Sequence, residues 1–266
     1  MFQPVVPLGG YVGWRFLERT QDNQQEIFAN AAPIKRATDA FREEISTIRS
    51  AAELVNNREL LSVALGAYGL DDDIDSRFFI EKILTDGTNS TDALANRLSD
   101  KRYLAFSQAF GFGDETGPRT GLSGFADTII ARFEKKQFER AVGEQNNDFR
   151  LAMNVAESLT DITTTNQGKD AQWFAIMGNP PLRQVFETAL GLPSSIARID
   201  VDQQLTMFKE RASSTFGSDR ADALLDADEQ EKLIRLFLVR SQSSNNTQIS
   251  GASAALTLLQ SARPLF

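Results

Sequence analysis

The stretch VFETALGLPSSIARIDVDQQLTMFK, residues 185–209, decides how this chain reads, because LLSVALGAYGLDDDIDSRFFIEKIL at 60–84 spells much the same thing earlier. Displaced by 125 positions and without a gap, Arg58 falls on Arg183, Ala64-Leu65-Gly66 on Ala189-Leu190-Gly191, and Ile74-Asp75 on Ile199-Asp200. Apolar positions follow the same register: Leu60 with Val185, Leu61 with Phe186, Ile80 with Leu205, Ile83 with Phe208. Each stretch therefore predicts a helix, a glycine stop, a short loop and a second helix opened by an aspartate.

The stop and start signals have physical causes. Asn179 before Pro180 and Pro181 suits an N-cap with proline in the first turn, where the missing N–H costs nothing. Asn56 with Glu59 offers a capping box at the matching place in the first stretch. Gly66 and Gly191 suit the residue just past a helix end, where a left-handed backbone carries no Cβ penalty. Asp75 and Asp200 suit N-caps, and Asp200 with Gln203 suits a second capping box.

Working outward, apolar residues recur at three- and four-residue spacing, as in Leu61, Ala64, Leu65 and Tyr68, or Phe125, Ile129 and Phe133, and no pair of alternating segments is joined by a hairpin signal. The fold expected is all-α and multi-helical, with two related helical halves, an internal duplication, around a shared core. Residues 1–120 are expected to form the first half and 121–242 the second, with the junction in the glycine-rich GFGDETGPRTGLSG at 111–124 and a long helix over 125–159, bent at Gly143 and the polar GEQNN of 143–147. A flexible C-terminal tail, 243–266, follows, its polar SQSSNNTQISGAS ending in a short apolar piece.

Composition excludes more chemistry than any motif suggests. The 266 residues contain no cysteine and no histidine, which removes thiolate nucleophiles, Cys-ligated metals, the Ser-His-Asp arrangement and the usual proton shuttle. Lys plus Arg number 28 against 36 Asp plus Glu, a net charge of -8, so nucleic acid and anionic membranes are repelled on average. No membrane-length apolar run and no cleavable leader are read at the N-terminus, and cytoplasmic residence is the default expectation, with export by a flagellar route that cleaves no signal as the other.

The motifs that look like binding sites have simpler structural readings. DDDIDS at 71–76 opens like an EF-hand loop, but the sixth position is Ser76 and the twelfth is Lys82, so capping is the better reading. GFGDETG lacks the Lys-Ser/Thr of a phosphate loop and reads as a linker. Neither a cofactor, a metal nor a small-molecule ligand is expected, and no catalytic residue is named. A carboxylate pair acting as acid and base would need neither His nor Cys, and remains the rival from the enzyme class. WFAIMGNPPLR at 173–183 crowds Trp173, Phe174 and Met177 against Pro180 and Pro181, the composition of an interaction surface as well as of a core.

Four longer segments, ALGAYGLDDDIDSRFFIEKIL (64–84), ALANRLSDKRYLAFSQAFGFGD (93–114), FERAVGEQNNDFRLAMN (138–154) and WFAIMGNPPLRQVFETALGLP (173–193), together resemble the bacterial domain-of-unknown-function family 1217. That resemblance implies an alphaproteobacterial protein of the kind often found beside flagellar genes, and it carries over no catalytic residues. The function expected is non-enzymatic contact with other proteins, in a flagellum-associated structural or assembly role. A cytosolic chaperone or adaptor for exported subunits, or a carboxylate-dependent hydrolase, are the alternatives.

Overall fold

The computed structural model describes residues 2–166 and 168–261, and 74% of it is helical, with no strand among the described residues. The helices are α1 Gly10–Ala29, α2 Ala32–Glu44, α3 Ala51–Asn56, α4 Arg58–Gly66, α5 Arg77–Asp86, α6 Leu94–Arg97, α7 Arg102–Phe110, α8 Phe125–Gln145, α9 Asn147–Met153, α10 Val155–Thr165, α11 Lys169–Met177, α12 Pro180–Leu190, α13 Val201–Phe216 and α14 Ala227–Ser261. Short 3-10 helices at Asp71–Asp73 and Ser194–Arg198 occupy the two loops that the sequence places between its helix pairs. No helix among the described residues is long and apolar enough to cross a membrane.

The chain divides into two compact units, Met1–Val5 with Arg19–Gln145, and Val6–Glu18 with Asn146–Phe266. The division after Gln145 has a local cause: Asn146 takes an extended backbone and its side chain accepts from the Phe149 amide at 3.3 Å, ending α8 and capping α9. The long helix expected over 125–159 is therefore broken outright at Asn146, inside the 143–147 stretch where a bend is expected. The glycine-rich stretch 111–124 lies inside the first unit and is not a boundary.

In the first unit α4 packs on α2 and α8, and α3 on α5, burying Phe41, Leu54, Leu61, Ile80, Phe106 and Phe133. Each such side chain contributes about 1.5–3 kcal/mol by leaving water. In the second unit α12 is central, against α14, α11 and α13. Its stripe Leu182, Val185, Phe186, Ala189 and Leu190 is buried. All four apolar pairs of the sequence register are buried in both units.

The helix ends are less alike than the register suggests. Helix α12 behaves as read: Asn179 accepts from the Leu182 amide at 3.1 Å, Pro180 fills the first turn, and Gly191 is left-handed at φ +64°. Leu192 N–H then reaches the Glu187 carbonyl at 2.9 Å and Gly191 N–H the Thr188 carbonyl at 3.1 Å, which closes the end in a Schellman motif. In the first unit Asn57, not Asn56, caps α4, accepting from Leu60 N–H at 3.1 Å, while Asn56 is the last residue of α3. Gly66 is helical and does not turn the chain; Gly69, at φ +66°, does. Gly66 is needed for another reason, since a Cβ there would stand 2.7 Å from the Phe133 ring of α8.

Asp75 is not a cap either. Ser76 precedes α5 without a side-chain bond, and Asp75 pairs with Arg58 at 2.7 Å. Asp200 does cap α13, accepting from Asp202 N–H at 2.9 Å, but the return contact comes from Gln204, which donates to the Ile199 carbonyl at 2.9 Å, and not from Gln203. Shared order with unlike ends does not establish a duplication.

The acidic corner 67–75 is taken up by structural bonds within the first unit. Arg132 donates to the Ala67 carbonyl at 3.0 Å and lies 4.5 Å from the Tyr68 ring centre. Gln137 and Arg140 reach Asp71 at 2.6 and 3.1 Å, the Tyr103 hydroxyl donates to Asp73 at 2.7 Å, and Arg102 donates to the Gly69 carbonyl. No cluster of three or more metal-ligating side chains occurs among the described residues.

All three phenols of the chain are held above their ordinary value near 10. Burial and then the bond to Asp73 push Tyr103 to about 12; burial raises Tyr68 against the opposing charge of Arg132; the bond to Glu231 raises Tyr11. The fold favours the protonated phenols, so their contribution is complete below pH 10 and falls as pH rises toward 12. Titration followed at the tyrosinate absorbance should show little ionisation at pH 10 in the native chain, a last step near 12, and loss of that step in Tyr103→Phe. A native curve centred at 10 would contradict it.

The C-terminal stretch 241–253, expected to be flexible, carries helical backbone as the continuation of α14. Its residues are polar but contain a single glycine and no proline, so nothing in it forbids propagation from the helix before it. The end of the expected tail, 262–266, lies outside the described residues.

Candidate functional site

The WFAIMGNPPLR segment spans the end of α11 and the start of α12, and its side chains go two ways. Trp173 is fully buried: its ring lies edge-on to Phe186 at 5.6 Å and against Phe208 at 6.1 Å, and its indole N–H donates to the Asp219 carbonyl at 2.8 Å. Met177 is buried one turn later. Phe174 lies on the opposite side and is exposed, Pro180 is exposed and Pro181 half-buried. Trp173 and Met177 therefore belong to the core, leaving Phe174 and the prolines as the surface portion of the proposed set.

A polar relay fixes what stands beside them. Arg183 of α12 donates to Glu187 at 2.6 Å, to the Met177 carbonyl at 3.4 Å and to the Gln204 side chain at 2.7 Å. Gln204, itself buried, passes the connection to the Ile199 carbonyl. The C-terminal end of α11 is thus tied to the N-terminal end of α13. At the start of α11, Asp170 meets Lys209 in the middle of α13 at 2.7 Å, so α11 and α13 run in opposite senses. Ile199, 38% exposed, and Val201, 50% exposed, flank the cap of α13 at one side of this tie, and Phe174, at 37%, and the exposed Pro180 lie on the α11–α12 segment at the other.

Four exposed apolar side chains thus stand on the two segments that the Arg183–Gln204 relay joins. Apolar contact area of this kind suits a protein partner. Arg183 and Gly191 have structural tasks here: Arg183 holds the relay, and Gly191 ends α12. In the first unit Asn56 and Arg58 both line a surface depression with Ile48, Ala52, Glu53 and Asn57.

Acidic side chains also line a recess in the first unit. Gly87 and Gly113 cross so closely that a Cβ on Gly113 would stand 2.3 Å from the Thr85 carbonyl oxygen. The glycine-rich segment is therefore a pinned loop and not a linker. It forms, with the 88–89 turn, a recess of about 350 Å³ lined by Thr88, Asn89, Gln108, Asp114, Glu115, Thr116 and Arg119. Asp114 already accepts from the Thr88 amide at 2.8 Å and hydroxyl at 3.1 Å. Burial raises the Glu134 carboxyl against the charges of Arg42 and Lys35, but Glu134 does not line the recess.

Sequence reasoning missed Ile199 and Val201 because they flank an aspartate cap and read as helix-start residues. The signal for Phe174 was present: Trp173, Ile176 and Met177 sit at i, i+3 and i+4, which leaves Phe174 on the other face.

Comparison with known proteins adds family and fold. A model of the family described as "Protein of unknown function (DUF1217)" matches residues 67–223, more than half of the chain. No curated protein matches it. Among solved structures, the crystal structure of a structural-genomics protein from Agrobacterium tumefaciens is similar with a TM-score of 0.73 at 23% identity, covering 92% of this chain and 100% of that one.

Proposed function

We propose that the chain, which belongs to the DUF1217 family, acts by contact with other proteins, as a structural or assembly component associated with the flagellum. The observation that carries the contact reading is the exposure of Phe174, Pro180, Ile199 and Val201 on the two segments of the second unit that the Arg183–Gln204 relay joins. Water-exposed apolar side chains on rigidly tied segments gain about 25 cal/mol per Å² when a partner covers them. The flagellar part rests on the resemblance of the four long segments to the family.

The test separates the two. A strain lacking the chain should swim poorly or assemble incomplete filaments; normal swimming and normal filaments would remove the flagellar reading. The purified double variant Phe174→Asp, Val201→Asp should melt within about 0.5 kcal/mol of the parent, since exposed substitutions cost little, yet lose the partner retained by the parent chain. Equal retention by both would remove the surface from the account.

A further inference from the structure

The recess of the first unit is lined by polar side chains alone, and most of their bonding capacity is unspent. Its wall is fixed. Gly87 and Gly113 cross in close contact, the Asn96 side-chain amide donates to the Thr88 and Ser90 carbonyls at 2.9 and 2.7 Å, and Arg119 N–H closes the loop onto the Phe110 carbonyl at 2.9 Å. Asp114 is held through Oδ1, by the Thr88 amide and hydroxyl. The side chains of Asn89, Gln108, Glu115, Thr116 and Arg119 form no hydrogen bond or ion pair among the described residues.

Two opposite charges, Glu115 and Arg119, therefore line one recess without meeting. The Arg119 stem lies across Gly111, where a Cβ would stand 3.2 Å from its Cγ, so the guanidinium is displayed from a loop tied at both ends. A fixed wall with free donors and acceptors binds a complementary solute without the entropy cost of ordering itself.

The lining selects the solute. Two carboxylates oppose a phosphate, and the guanidinium opposes a metal cation. No aromatic ring is present to stack a sugar or a base, and no aliphatic side chain to cover an apolar group. A planar guanidinium takes a carboxylate through two parallel hydrogen bonds, and carboxylates take an ammonium. The volume of about 350 Å³ suits a small molecule that carries both.

We propose that this recess binds a free polar α-amino acid as its zwitterion, with Arg119 on the carboxylate, Asp114 and Glu115 on the ammonium, and Asn89 and Gln108 on the side chain. The site lies in the first unit and shares no residue with the surface at Phe174, so it stands or falls apart from the contact reading.

The isotopically labelled full chain is titrated with each of the common L-amino acids while the Thr88 amide resonance is followed, because that N–H is bonded to the Asp114 carboxylate at 2.8 Å. At least one amino acid with a polar side chain should shift it saturably, with half-saturation at about 1 mM, as fits a ligand of about ten non-hydrogen atoms. Its N-acetyl derivative, which lacks the ammonium, and its α-amide, which lacks the carboxylate, should each bind about tenfold more weakly or worse. Arg119→Gln and Glu115→Gln alter exposed side chains and should keep the parental thermal midpoint, while half-saturation rises about tenfold or more. No saturable shift with any polar amino acid up to about 50 mM, equal binding of the capped derivatives, or parental binding by either variant would overturn the site.

Discussion

Replacing Trp173 with alanine is expected to cost the second unit about 3–5 kcal/mol, the range for removing a large buried aromatic. The ring is fully buried between Phe186 and Phe208, and its N–H satisfies the Asp219 carbonyl. Truncation leaves a cavity and also removes the hydrogen bond to the half-buried Asp219, and the two costs act in the same direction. Trp173→Phe keeps most of the apolar volume and loses the hydrogen bond, so about 1–3 kcal/mol is expected there. Both tryptophans of the chain lie in the second unit. In the Trp173 variants Trp14, edge-on to Phe149 at 6.1 Å, remains as the fluorescence probe of denaturant unfolding. A midpoint unchanged in Trp173→Ala would show that the indole does not hold α11, α12 and α13 together.

The second large effect separates two glycines that occupy the same register position. Gly66→Ala is expected to cost about 1–3 kcal/mol by overpacking, because its Cβ would stand 2.7 Å from the Phe133 ring and 2.9 Å from the Gln137 side chain. Gly191→Ala is expected to cost about 1–2 kcal/mol through the left-handed backbone, where φ is +64°. The causes differ, and so do the suppressors. Phe133→Leu should recover part of the loss in Gly66→Ala, since it gives the new methyl room. Arg240→Ala should not rescue Gly191→Ala: the guanidinium near that Cβ can move aside, whereas the backbone strain stays. Thermal melts of the two double variants check the pair, and rescue of Gly191→Ala alone would reverse the assignment.

These glycines show how much was legible in the sequence. Period and punctuation were enough for an all-helical chain, for α12 with its asparagine cap and glycine end, and for the aspartate that opens α13. They failed where one residue type serves two physical ends. Glycine permits either a left-handed turn or a close approach, and only the neighbouring α8 tells which applies at Gly66. Asn56 and Asn57 are equally good caps by composition, and the extended backbone at Asn57 makes the choice. The stretch 111–124 has the composition of a linker because glycines that let two backbones cross look, in sequence, like glycines that let a chain flex.

The apolar surface of the second unit was half legible. Trp173, Phe174 and Met177 share a composition that serves core and interface alike, and helical phase divides them correctly once it is applied. Ile199 and Val201 could not be joined to Phe174 from sequence, because the tie runs through the side chains of Arg183 and Gln204 across separate helices.

The claim at the centre of this account is that the chain works through that apolar surface. The most direct measurement is the swimming of a strain whose only copy of the chain carries Phe174→Asp and Val201→Asp, at parental abundance and with parental thermal stability. The account predicts that such a strain swims as poorly as one lacking the chain. Swimming at the parental rate, with the variant folded and present, would contradict it.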